Sequence, residues 1–160
     1  MAAADKGALT AEGIAAAVAR GVDVNGLRRG EAALHRAVNG SHREAIAALL
    51  AAGADANVTD YAGATPTWRC AASGTADVLQ LLIDGGGDVN AADGCGESPL
   101  IALVRRGRGD GAARLAMLLS CPGLHLDAMA EGRTAEGWAA EEHRLATAAA
   151  ALGPEVTVSS

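Results

Sequence analysis

The sequence predicts an all-α solenoid, in which helix pairs stacked side by side are joined by short β-hairpin-like loops. Three observations predict it. A 33-residue period aligns Gly30-Glu-Ala-Ala-Leu34-His35 with Gly63-Ala-Thr65-Pro66-Thr67-Trp68 and with Gly96-Glu-Ser98-Pro99-Leu100-Ile101, and Gly53-Ala-Asp55-Ala-Asn57 with Gly86-Gly-Asp88-Val89-Asn90. Helix-starting and helix-stopping residues fall at fixed places in that period. The 160 residues include 40 Ala but no Phe, two Trp and one Tyr, so the chain lacks the large side chains of a deep central core and suits a thin, extended one.

The elements follow in order. An N-terminal partial unit spans 1–27: Ile14 and Val18 stand where Ile46 and Leu50 stand later, and Gly21-Val-Asp23-Val24-Asn25 closes it one residue short of the period. Three full units follow at 28–60, 61–93 and 94–128. In two of them a capping hydroxyl precedes a proline at the first helical position, Thr65-Pro66 and Ser98-Pro99, where the missing N–H is no loss. Ala32-Ala33 replaces that pair in the first unit. The second helices are marked by Ile46, Leu49 and Leu50, by Val78, Leu81, Leu82 and Ile83, and by Leu115, Leu118 and Leu119, with small residues between them for close stacking. Gly53 and Gly86 stop two of these helices. Gly107-Arg108-Gly109-Asp110-Gly111 makes the distance from Gly107 to Leu118-Leu119 three residues longer than that from Gly74 to Leu82-Ile83, so the two helices of the third unit are expected to be joined by an expendable bulge. A last partial unit, 129–152, opens with Gly132-Arg-Thr134-Ala135; its first helix is expected to start at Trp138, and 153–160 form a tail.

The succession of G-x-T-P-L-H, A-A-x-x-G, a Leu-rich stretch and G-A-D-V-N resembles the ankyrin repeat family, over about Asp5 to Leu152. The resemblance implies a non-catalytic protein-interaction module, an adaptor or scaffold, that grips a partner protein in a concave groove made by hairpin tips and first helices. Carried over unit by unit, that groove presents Arg28, Arg29, Glu31 and Asn39, then Tyr61, Ala62, Ala64 and Ser73, then Cys95, Glu97, Arg105 and Arg106, and finally Glu131, Arg133 and Glu141. Arg and Tyr are enriched at binding hot spots, and the arginines suggest a partner with an acidic or carboxylate-rich surface. Arg43 and Arg114, on second helices, are expected on the opposite, convex side. The small size is also similar to that of ankyrin inhibitors of protein kinases, so a stoichiometric enzyme inhibitor is the alternative. A thiol enzyme and a self-assembling structural element rank lower.

Charge and motif chemistry agree with that reading. Thirteen basic and 19 acidic residues give a net charge of −6, which removes the basis for nucleic-acid binding. No apolar run suits a membrane span, and Met1-Ala-Ala-Ala-Asp5-Lys6 does not read as a secretory leader, so a cytoplasmic or nuclear monomer is expected. Cys70, Cys95 and Cys121 have neither zinc nor disulfide spacing, and no cofactor or metal is implied. Cys95 reads as an exposed thiol without a base, and Cys70 as packing. His35, at the T-P-L-H position, is expected to make a structural hydrogen bond. Gly85-Gly86-Gly87 follows a helix and lacks the Lys and Ser/Thr of a phosphate loop. Glu141, Glu142, His143 and Arg144 suggest a solvated C-terminal end.

Overall fold

The structure, a computed structural model, describes residues 10–107 and 109–142. Among them run α1 (Ala11–Ala19), α2 (Ala33–Asn39), α3 (Arg43–Ala51), α4 (Pro66–Ser73), α5 (Ala76–Asp84), α6 (Pro99–Arg106), α7 (Gly111–Ser120), the two-residue strands β1 (Met129–Ala130) and β2 (Arg133–Thr134), and α8 (Ala135–Glu142). The even-numbered helices pack in sequence as an inner layer and the odd-numbered ones as an outer layer, so each of the three central units contributes one helix to each layer, while α1 adds to the outer layer and α8 to the inner. The fold is an all-α solenoid of stacked helix pairs.

Local chemistry sets the helix starts. The Thr65 Oγ1 accepts the Trp68 N–H at 3.2 Å and the Ser98 Oγ accepts the Ile101 N–H at 3.3 Å, each just before a proline at the first turn. Ala32 gives α2 no side-chain cap. The last helix begins at Ala135, three residues before the Trp138 start expected from sequence, because Thr134 supplies the same cap and accepts the Gly137 N–H at 3.3 Å. On the outer layer, Gly53 (φ 87°) and Gly86 (φ 89°) end α3 and α5 in the left-handed region.

Two devices stitch successive units. The asparagine closing each G-x-D-x-N run reaches forward: Asn57 donates from Nδ2 to the Gly86 carbonyl (3.0 Å) and accepts the Asp88 N–H at Oδ1 (2.7 Å), and Asn90 does the same with Gly123 (2.8 Å) and His125 (2.8 Å). Asn25 makes the corresponding pair with Gly53 and Asp55. Gly123-Leu-His125 is therefore a further copy of the run, disguised by its side chains. On the inner layer, His35 Nε2 donates to the Ala64 carbonyl at 2.9 Å, the structural bond expected of it, and 33 residues later the indole Nε1–H of Trp68 donates to the Glu97 carbonyl at 2.8 Å. Trp68 thus does the histidine's work despite its different chemistry.

The core lies between the layers. Leu34, Val38, Ile46, Leu49, Val78, Leu79, Leu82, Leu100, Ile101, Leu103, Val104, Leu115 and Leu118 are buried together there, with Cys70 and Ala71 of α4 in the same cluster. Burying one such Leu or Ile contributes about 1.5–3 kcal/mol.

Two expectations are corrected here. Arg114 is fully buried rather than displayed on the convex side: its Nη1 donates to the carbonyls of Cys70 (3.1 Å) and Ala71 (2.7 Å), and its Nε faces Asp110 Oδ1 at 3.3 Å. The insertion between α6 and α7 is no idle spacer, because Asp110 Oδ2 accepts the Ala76 N–H at 2.9 Å and so ties the third unit to the start of α5. Arg43 is exposed on α3, as expected. The tail 153–160 and the residues His143 and Arg144 lie outside the described residues.

Candidate functional site

The inner helices and the hairpins ahead of them form one continuous face, and its organising feature is arginine laid over aromatic rings. All three aromatic side chains of the chain sit here. The Arg69 guanidinium lies 5.8 Å from the Tyr61 ring centroid, Arg106 lies 5.3 Å from Trp68, and Trp138 is flanked by Arg105 at 4.0 Å and Arg133 at 5.0 Å. Each such contact is worth about 0.5–2 kcal/mol. Because an inner helix shows one stripe to the face, residues two helical turns past a hairpin carboxylate fold back over it, which pairs Arg69 with Asp60 and Arg105 and Arg106 with Glu97.

Those pairs decide which charges are free to act. Asp60 is buried, and its Oδ2 receives Arg69 from Nε (2.7 Å) and Nη2 (2.5 Å) while Oδ1 accepts the N–H groups of Ala62 (2.8 Å) and Ala64 (3.0 Å). Burial alone would raise the Asp60 pKa; the Arg69 hydrogen bond, the two amides and the Arg69 charge outweigh it and hold the carboxyl below its ordinary value. Glu97 is buried too; Arg105 donates to its Oε1 and Arg106 to its Oε2, with a second, longer Arg106 bond to Oε1 at 3.4 Å, and Arg105 also reaches Glu131 Oε1 at 3.4 Å.

The residues proposed for a groove therefore divide. Tyr61, Ala62, Ser73, Cys95, Arg106, Arg133, Glu131 and Asn39 are exposed on this side, as are Arg28 and Arg29, and Glu31 and Arg105 are half-buried. Ala64 and Glu97 are buried. Both occupy the position just before a helix-capping hydroxyl, where the chain turns inward; Ala64 packs with Trp68, Ala72 and Ala102, and Glu97 is covered by its arginines. The Glu141 side chain lies outside the described residues. Sequence reasoning missed Trp68, Arg69 and Asp60, although a hairpin carboxylate nine residues ahead of an inner-helix arginine occurs twice, at Asp60–Arg69 and Glu97–Arg106, and that spacing was the available clue.

A groove of about 530 Å³ opens over α4, lined by Tyr61, Ala62, Ala64, Trp68, Arg69, Ala72, Ser73, Asp93 and Arg106. Its floor is small and apolar, its rim charged. Tyr61 is 74% exposed, yet its backbone is pinned, the N–H donating to the Gly30 carbonyl at 2.9 Å. Cys95 is exposed at a hairpin tip, whereas burial pushes the Cys70 thiol up to about 12, with the nearby Arg114 charge only partly opposing, and burial also raises Cys121. Alkylation of the native chain at about pH 7.5 is accordingly expected to label Cys95 first and Cys70 only on unfolding. Mass spectrometry of the labelled peptides checks this, and equal rates at the two would mean that α4 opens readily. Among the described residues no group of three His, Cys, Asp or Glu could hold a metal ion, and no helix is long and apolar enough to cross a membrane.

Comparison with known proteins agrees with this architecture. A family model described as ankyrin repeats, in three copies, matches residues 1–93. The Neurogenic locus Notch protein of Drosophila melanogaster is 35% identical over 99 residues, covering 60% of this chain and 4% of that protein. Neurogenic locus notch homolog protein 1 of Xenopus tropicalis is 36% identical over 132 residues, 78% of this chain and 5% of that protein. Human neurogenic locus notch homolog protein 2 is 40% identical over 79 residues, 49% of this chain and 3% of that protein. The chain thus spans only a small part of the length of these relatives.

Proposed function

We propose, from the premise that the chain belongs to the ankyrin repeat family, whose repeats are in general protein-protein interaction modules, that it binds a partner protein along its inner face and does so without catalysis. The observation that carries this reading is the groove over α4. A small apolar floor of Ala64 and Ala72, edged by Ser73, lies between an exposed Tyr61 whose backbone is pinned and a Trp68 whose indole is already bonded to the Glu97 carbonyl. Such pre-ordered aromatic surface can be covered by a partner with little loss of side-chain freedom, which is what makes Tyr and Trp strong anchors. The charged rim, Arg69, Asp93 and Arg106, supplies direction and on-rate more than affinity. An acidic or carboxylate-rich partner surface suits the excess of arginine on this side.

The test is capture of partners from the source cell by the full chain, followed by variants of the groove. Tyr61→Ala and Ser73→Arg, both at exposed positions, are each expected to weaken the captured complex by about tenfold or more, equivalent to about 1.4 kcal/mol, with the helical circular dichroism unchanged. A partner that tolerates both but is lost on Arg43→Glu would place the interface on the outer helices and sink the inner-face reading.

A further inference from the structure

The first hairpin is charged unlike those that follow. In the second unit Arg69 is neutralised by Asp60. Thirty-three residues earlier the same two places hold Arg36 and Leu27, so the first unit keeps the arginine and lacks the carboxylate. The hairpin itself adds two more cations, Arg28 and Arg29. Its turn is closed by backbone bonds from the Arg28 N–H to the Glu31 carbonyl (2.9 Å) and from the Glu31 N–H to the Arg28 carbonyl (3.2 Å), and Arg29 stands at φ 55°, a left-handed conformation that strains a side-chain-bearing residue. Arg28, Arg29, Glu31 and Arg36 together line one cavity of about 290 Å³. Among the described residues none of these four takes part in an ion pair. Three guanidinium groups against one carboxylate leave two positive charges uncompensated, in a protein whose net charge is −6.

By contrast, Arg105 and Arg106 are already bound to Glu97, and these two and Arg133 lie over tryptophan rings. The cavity also adjoins the α4 groove: the Gly30 carbonyl accepts the Tyr61 N–H, and a Cβ added at Gly30 would stand only 2.9 Å from the Tyr61 Cβ. We infer that this cavity is the acidic-residue subsite of the inner face, taking two neighbouring Asp or Glu carboxylates of an extended partner segment that continues past Tyr61 into the groove. Guanidinium groups donate to carboxylates in paired, parallel hydrogen bonds, so three arginines lining one cavity suit two carboxylates in donor chemistry as well as in charge. The inference rests on the inner-face reading above and narrows it.

The experiment is a ¹H–¹⁵N titration of the full chain with three end-blocked probe peptides: hexaglutamate, hexaglutamine and a peptide carrying one phosphoserine among glycines. Hexaglutamate is expected to give saturable shifts in amides 28–36 and in Tyr61, and hexaglutamine none. Arg36→Gln should weaken the hexaglutamate complex about tenfold, and Arg43→Gln on the outer layer less than about twofold. Shifts centred instead on residues 105, 106 and 133, or no saturable shift, overturn the subsite, and tighter binding of the phosphoserine probe assigns the cavity to a phosphoryl group. Failures of the two readings separate cleanly. A captured partner lost on Tyr61→Ala but indifferent to Arg28→Gln and Arg36→Gln rejects this subsite alone, while one indifferent to Tyr61→Ala and Ser73→Arg rejects the groove itself.

Discussion

Arg114→Ala is expected to cost about 3–5 kcal/mol of folding free energy, a large share of what a domain of this size has. The guanidinium is wholly buried between α7 and the α4–α5 junction. From there it donates to two carbonyls in the last turns of α4, Cys70 and Ala71, at the negative end of that helix, while Asp110 sets its carboxylate at the N-terminus of α5 through the Ala76 N–H. One ion pair therefore serves two helix ends in the neighbouring unit. Truncation to Ala leaves the Ala71 carbonyl without that donor inside the protein and opens a cavity the size of the lost side chain, and the two penalties add. Arg114→Lys keeps the charge but cannot spread donors over two carbonyls and the Asp110 side, so an intermediate loss is expected. Deleting residues 108–110 is likewise expected to destabilise, since it removes Asp110, even though it restores the 33-residue spacing. Urea unfolding followed by circular dichroism measures all three. An Arg114→Ala chain within about 1 kcal/mol of the parent would mean that water replaces the guanidinium, contrary to its burial.

The contrast between Thr65-Pro66 and Arg114 shows what the sequence can reveal. A hydroxyl before a proline starts a helix wherever it stands, and a glycine in the left-handed region stops one, so α4, α6 and the ends of α3 and α5 were legible from a few adjacent residues. Periodicity then carried these local facts through the stack, and the family resemblance implied Tyr61, Cys95, Arg28 and Arg29 on one side. Burial of Glu97 and Arg114 is of another kind. Both are charged residues whose environment is made by partners elsewhere, Arg105 and Arg106 at eight and nine residues' distance and Cys70 and Ala71 more than forty residues back. A residue type read alone gives such groups to the surface, because charge is rarely buried unless paired, and the pairing is a property of the fold. The insertion around Asp110 had no counterpart in the other units, so the period offered nothing to align it with.

Glu97→Ala is expected to cost about 2–4 kcal/mol, and its effect should be read most directly at the tryptophans. The Glu97 side chain is 3% exposed and accepts from both Arg105 and Arg106, whose side chains are 20% and 46% exposed. Without the carboxylate, two adjacent like charges face each other across the space it filled. Arg106 can swing into water, leaving the Trp68 face. Arg105 is more confined, held over Trp138 and within 3.4 Å of Glu131 Oε1. Glu97→Gln keeps the volume and one acceptor oxygen, and should cost less than the alanine variant. Both tryptophans of the chain lie under these arginines, so intrinsic fluorescence is a local report: the emission maximum should move to longer wavelength in Glu97→Ala before any loss of helical signal. A double-mutant cycle pairing Glu97→Gln with Arg106→Gln isolates the pair, and coupling of at least about 0.5 kcal/mol is expected for residues in one network. If Arg105 and Arg106 instead belong to the partner-facing charge, Glu97→Ala leaves stability and emission unchanged and tightens binding of an acidic peptide at residues 105 and 106. That outcome would remove the distinction between a braced third hairpin and an open first one.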